Sequence, residues 1–291
     1  MKFQPDPELV EFAAAVRALL GDADVPAAAR SWAAGDFAPG RKLWTRLTEL
    51  GVGELAADPV GLVLAFEELG RAAVPGPYVE SLAVLPELGA GSMVSLAWTP
   101  HVPFAVDADA ADAVYVVEDE TVFAARLGAA RTSVDRARRL AEVLPGDRVG
   151  AVPGGAFDAG VLATAAQLQG LGAALLDRAT AYAKQRQQFG KVIGSFQAVK
   201  HQLADVAVGL ELARPLLFGA ALSLSPRDVS AAKVACGDAA YRAARTALQV
   251  HGAIGYTAEY DLALWLTKVR ALLSAWGTPR FHRDRVWAAI R

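Results

Sequence analysis

The residues best placed to do chemistry lie in RQQFGKVIGSFQAVKHQLAD, Arg186 to Asp205. Arginine offers a rigid fork of N–H donors that matches phosphate, and glutamine amides match amide or purine edges. Apolar spacing predicts a helix entering this stretch from Leu171. Gly190 should end it, since glycine tolerates the left-handed conformation. A short extended piece over 191–195 and a new helix from about Phe196 follow. Arg186, Gln187 and Gln188 then fall where one helix stops, and Gln197 where the next begins. Donors facing each other across such a break suit a large anionic ligand. Taken alone, these residues read better as a solvated helix end, where a cation favours the helix dipole.

A second stretch, QVHGAIGYTAEY from Gln249 to Tyr260, is rich in small residues that let a ligand approach the backbone closely. Together the two stretches resemble the acyl-CoA dehydrogenase family. The first matches its pattern R-x-x-F-G, x-x-I, F-Q-x-x-x-x-x-L-A-D at Arg186, Phe189, Gly190, Ile193, Phe196, Gln197, Leu203, Ala204 and Asp205. The second matches Q-x-x-G-G-x-G-[FY]-x-x-E-[YF] at Gln249, Gly252, Gly255, Tyr256, Glu259 and Tyr260, with Ala253 replacing a glycine. The resemblance implies that Arg186, Gln188, Phe189, Gln197, Gln249, Gly252 and Ala253 bind the pyrophosphate and adenosine end of an FAD held mainly by a neighbouring subunit. The extra methyl of Ala253 should loosen that contact without abolishing it.

Two departures from the family point elsewhere. Its flavin-ring loop, T-E-P-x-x-G-S-D, corresponds here to Trp98-Thr99-Pro100-His101-Val102-Pro103, with no G-S-D following. Its catalytic glutamate, in Y-E-G-T, corresponds to Ala275-Trp276-Gly277-Thr278, so Trp276 stands where the base should be. Indole donates one hydrogen bond and accepts no proton. Glu259 matches a structural glutamate of the family and not the base. Loss of a positioned base costs roughly 10²–10⁴-fold in rate, about 3–5.5 kcal/mol of barrier.

The resemblance therefore implies a non-catalytic subunit that shares FAD with a catalytic acyl-CoA dehydrogenase chain, in an α2β2-type hetero-oligomer. The acyl-CoA, with a bulky steroid side-chain thioester among the candidates, would sit mainly on the partner. Two alternatives stay open: a homomeric flavoenzyme with Asp158 or another acid as relocated base, and a flavin-free scaffold.

The elements that must position these residues are mostly helical. Apolar spacing predicts helices over 7–20, 39–50 and 59–73, then about 159–188, 196–223, 226–251, 261–274 and onward from 279. Three β-rich runs, 94–98, 113–117 and 121–125, interrupt them. The basic stretch 131–144, broken by acids, reads as a solvated face. The phrases LWTRLTELG and EELGRAAVPGP also resemble the family's N-terminal domain. The expected fold is mainly α, acyl-CoA dehydrogenase-like. It has an N-terminal helical domain (1–91), a reduced β middle domain (92–152) and a C-terminal four-helix bundle (153–291).

With 291 residues, 54% of them hydrophobic, the chain can bury a sizeable core. A formal net charge of −2 gives no reason to expect nucleic acid or an anionic membrane as partner. Cys236 is the single cysteine, which precludes an internal disulfide and fits a reducing cytoplasm. The opening residues lack the apolar core of a signal peptide. The uncharged run 159–176 reads as a buried core helix and not a membrane span, because Thr164, Gln167, Gln169 and glycines interrupt it. The four histidines show no metal-ligand spacing.

Overall fold

In the computed structural model, residues 5–89, 91–257 and 260–291 are described. The first layer holds α1 (Pro7–Gly21), α2 (Val25–Ala33), α3 (Ala38–Glu49) and α4 (Pro59–Arg71). A π-helical turn over Val79–Val84 and the short α5 (Pro86–Gly89) follow. Aspartates start two of these helices. Asp24 accepts from the Ala27 amide, and Asp58 accepts from the Val60 and Gly61 amides, satisfying donors that a helix N-terminus leaves free.

The sheet comprises β1 (Val94–Trp98), β2 (Ala105–Val106), β3 (Ala113–Glu118), β4 (Thr121–Arg131) and β5 (Leu140–Ala151), in the order β1-β3-β4-β5-β2. β1 and β3 run parallel, and the other pairings are antiparallel. The stretch expected to be a solvated face is only partly so. It closes β4, opens β5, and buries Asp135 and Ala137 between them. Asp135 is held there by an ion pair with Lys268, 3.1 Å away.

Three long helices make the last layer, α6 (Ala156–Gln185), α7 (Gln197–Ser223) and α8 (Pro226–His251), with the shorter α9 (Leu262–Leu272) and α10 (Pro279–Ala289) lying on α8. α6 is the central element, in contact with α4, α7, α8 and α9. Its most apolar 18-residue stretch is spent on the interior, 83% buried, as expected for a core helix. The first layer meets it backbone to backbone. A Cβ on Gly170 would lie 1.9 Å from the Glu67 carbonyl oxygen, and one on Gly70 would lie 2.2 Å from that of Gln167. Only glycine permits α4 and α6 to cross so closely.

The join between α6 and α7 differs from expectation. α6 ends at Gln185, and Arg186 is already extended. Gln187–Gln188 (β6) pairs antiparallel with Lys191–Val192 (β7). Phe189 and Gly190 carry φ of 53° and 76°, the two left-handed residues of a tight hairpin turn. Gly190 thus turns a hairpin and does not cap a helix.

Candidate functional site

The two motif stretches meet at one end of the bundle. α6 and α8 finish side by side there, and the Tyr182 ring stacks on His251 at 4.3 Å. His251 is fixed by a bond from its Nδ1 to the Ala247 carbonyl, 2.8 Å, and burial lowers its pKa. It is therefore a neutral ring donating through Nδ1. Gly252, with φ of 63°, ends α8 and leads into a 3-10 turn over Gly252–Tyr256. Glu259 lies outside the described residues.

Arg186, Gln188, Gln197, Gln249 and Ala253 are all exposed, and Gly252 is half-buried. Phe189 stands at the hairpin tip with 90% of its surface in water, an unusual cost for a benzyl group in an unpartnered protein. Its ring lies 6.2 Å from Phe196, over which the Lys191 ammonium sits at 4.4 Å. A cation, amide donors, an exposed ring and a glycine turn are groups that suit the nucleotide end of a dinucleotide.

The opposite face holds the two departing segments. The loop after β1 and the turn between α9 and α10 enclose a cleft of about 350 Å³. Trp276 forms one wall. It is fully buried, with φ of 57°, a strained conformation for a bulky residue. Its ring meets Trp98 and Phe157 edge-on or tilted, at 6.4 and 5.8 Å. Beneath it a Cβ on Gly160 would come within 2.7 Å.

A buried polar frame holds this turn. The Lys233 ammonium donates to the carbonyls of Leu272 and Leu273, at 3.0 and 3.2 Å. Burial pulls its pKa down to about 7. His282 donates through Nε2 to the Trp276 carbonyl at 2.9 Å, while its Nδ1 accepts from the Ser230 hydroxyl at 3.2 Å. Burial lowers His282 to about 4, so it is neutral as this tautomer requires. Arg285 grips both oxygens of Asp158, at 2.7 and 3.1 Å. The one acid considered as a relocated base is thus committed to an ion pair on the α10 side of the frame.

No Asp or Glu lines the cleft among the described residues. Glu80 sits behind the Trp276 indole and accepts its Nε1–H at 3.3 Å. Burial raises Glu80 to about 7, against the opposing pull of the Arg138 charge. Asp107, beside it, rises to about 6 from burial, though Trp32 Nε1 and the Arg139 amide donate to it at 3.0 and 2.9 Å. Behind Trp276 the remaining cavity is about 30 Å³, bordered by Glu80, Asp107, Arg138, Gln167 and Lys268. Such a space has room for about one water and none for an acyl chain.

A flavin ring therefore has little to fit here. The wall residue is an indole, the acid is hidden, and the ring loop lacks its glycine–serine–aspartate. The nucleotide end fits better, since its donors are present and uncovered. Sequence reasoning missed Glu80, Asp107, Arg138 and Lys233. For two of them a signal existed: a lone acid in VESLAVL and a lone lysine in AAKVACG.

A central sheet between a helical layer and a long-helix bundle defines an acyl-CoA dehydrogenase fold. The profile of the acyl-CoA dehydrogenase C-terminal domain matches residues 151–290. Acyl-CoA dehydrogenase IpdE2 of Mycolicibacterium smegmatis is 33% identical over 258 residues, covering 82% of this chain and 80% of that protein. The chain belongs to the acyl-CoA dehydrogenase family. Its fold matches the ChsE4-ChsE5 complex of Mycobacterium tuberculosis, with a TM-score of 0.82 at 20% identity over 100% of this chain and 99% of that one. It also matches the Tcur3481-Tcur3483 steroid ACAD, with a TM-score of 0.79 at 19% identity and 97% coverage of both chains.

Proposed function

We propose that this chain is a non-catalytic acyl-CoA dehydrogenase-like subunit that completes the FAD site of a catalytic partner chain in an α2β2-type assembly. The observation that carries this reading is Trp276: a buried indole stands at the family's base position and donates to Glu80 behind it. Dehydrogenation of an acyl thioester removes a proton from the α-carbon while a hydride leaves the β-carbon, and among the described residues no Asp or Glu lines the cleft to take that proton.

Arg186, Gln188, Phe189, Gln197, Gln249, Gly252 and Ala253 would hold the pyrophosphate and adenosine of the partner's FAD. When bound, FAD supplies the acceptor for the hydride. The acyl-CoA lies mainly on the partner, because the space behind Trp276 is small and charged. The exposure of Phe189 supports a covering chain, and so does α7, which leaves Val208, Leu212 and Leu216 in water along one side. The heteromeric ChsE4-ChsE5 relative and the steroid ACAD support a partner chain and a bulky, steroid-derived acyl group. The cytoplasm remains the proposed compartment.

The test is Arg186→Ala in the complex co-produced with its partner. Arg186 is exposed, so folding should be unchanged while FAD per complex falls. Unchanged FAD content would favour the flavin-free scaffold. Asp158→Ala separates the homomeric alternative, which alone predicts a collapse in rate.

A further inference from the structure

We propose that the cleft between the loop after β1 and the α9–α10 turn binds a small organic monocarboxylate, with Arg138 as its counter-charge. This rests on the reading above, that no flavin ring occupies the same space.

The cleft's size, about 350 Å³, falls at the lower end of small-ligand sites and excludes a dinucleotide. Its walls are mostly apolar: Pro100, Val102 and Pro103 on one side, Ala271, Ala275 and Trp276 on the other. Arg138 is the one charged residue among those lining it. A mostly apolar pocket whose one charge is an arginine suits a flat or compact hydrocarbon body ending in a carboxylate, which the guanidinium fork can take in two parallel bonds.

Arg138 is also unspent. Its sequence neighbours Arg131 and Arg139 close ion pairs with Glu142 and Asp109. The Arg138 guanidinium makes no hydrogen bond or ion pair among the described residues, although the side chain is half-buried. Glu80 and Asp107 lie near enough for it to lower their pKa values, yet their oxygens bond elsewhere, to Trp276, Trp32 and the Arg139 amide. Both acids are also pushed towards protonation by burial, so they balance the arginine only in part.

The remaining polar groups fit an anion without supplying a second charge. His101 stacks on Phe281 at 3.8 Å, and burial beside Arg285 keeps it neutral. The Thr278 oxygen accepts from the Phe281 amide at 3.2 Å, which leaves its O–H free to donate at the cleft mouth. The larger cleft, about 500 Å³ between α2 and the start of α9, makes a poorer anion site because Asp135 and Asp261 line it beside Arg30 and Arg136, and Arg30 is already paired with Asp261.

The experiment titrates the full chain with benzoate and with its neutral isostere benzamide, read by calorimetry and by the fluorescence of Trp276 and Trp98. Benzoate should saturate, and benzamide should bind at least about tenfold more weakly. Arg138→Gln should weaken benzoate at least about tenfold and leave benzamide unchanged. Ala271→Phe, which fills the cleft without touching the charge, should abolish both, and this keeps the test decisive if Arg138→Gln does not fold. Equal binding of the two probes, or benzoate binding indifferent to both variants, would overturn the proposal. A colourless chain that binds no benzoate overturns this proposal and leaves the subunit reading standing. A flavin that copurifies with the chain and is displaced by benzoate overturns both.

Discussion

Replacing Glu80 with glutamine should remove most of one pH-dependent cost of folding. Glu80 is buried, and its pKa rises from 4.5 to about 7. That displacement corresponds to about 3 kcal/mol between protonated and ionised forms. An unfolded Glu80 releases its proton near 4.5, while the folded one keeps it to about 7. Between those values the folded state holds more protons, so stability falls as pH rises. The contribution is complete below the unfolded value and lost above the folded one. Glu80→Gln keeps an oxygen to accept the Trp276 N–H but cannot ionise. At about pH 5 it should match the native chain, and at about pH 8 it should exceed it by up to about 3 kcal/mol. Asp107, raised to about 6, leaves a residual slope of the same sign in the variant. Urea denaturation at the two pH values measures both. A variant with the same pH slope as the native chain, or one less stable at the higher pH, would refute the placement of a buried, proton-holding carboxyl behind Trp276.

Other perturbations follow from the same packing. Gly170→Ala should cost about 3 kcal/mol or more in thermal melts by forcing α4 off α6, because the new methyl meets the Glu67 carbonyl. Gly209→Ala, in α7 with nothing within 4 Å, should instead stabilise the isolated chain by up to about 1 kcal/mol. Trp276→Ala should cost about 3–5 kcal/mol in denaturant, and assays with acyl-CoA should find no dehydrogenation gained. Lys233 has a folded pKa lowered from 10.5 to about 7, so the unfolded chain binds the extra proton between them and the native chain should gain stability as pH rises through that window. Lys233→Met should lose that gain in melts across the same range.

Much of the fold was legible because helices advertise themselves by period. α1, α4, α7, α8, α9 and α10 follow apolar spacing and proline or aspartate starts, and β1 and β3 follow β-branched runs. β5 was hidden because both its faces are largely wet and Pro145 and Gly146 interrupt its pattern. The hairpin at Arg186 was hidden because Gly190 serves a helix end and a tight turn equally well, and only Phe189 in the left-handed region decides between them. The two motif stretches could be placed at helix ends from their patterns, since α6 and α8 end and α7 begins beside them. Glu80 and Lys233 show in the sequence only as lone ionisable residues in apolar runs, and Arg138 and Asp107 not at all, because the four come from separate elements that only the packing of sheet on bundle brings near the turn that carries Trp276.

The central claim is that this chain contributes to a flavin site without owning one. Its most direct test is the visible spectrum of the chain purified alone and of the chain purified with its catalytic partner. The account predicts a colourless, folded chain by itself and a yellow complex with fewer flavins than subunits. A yellow chain that dehydrogenates acyl-CoA unaided would contradict it.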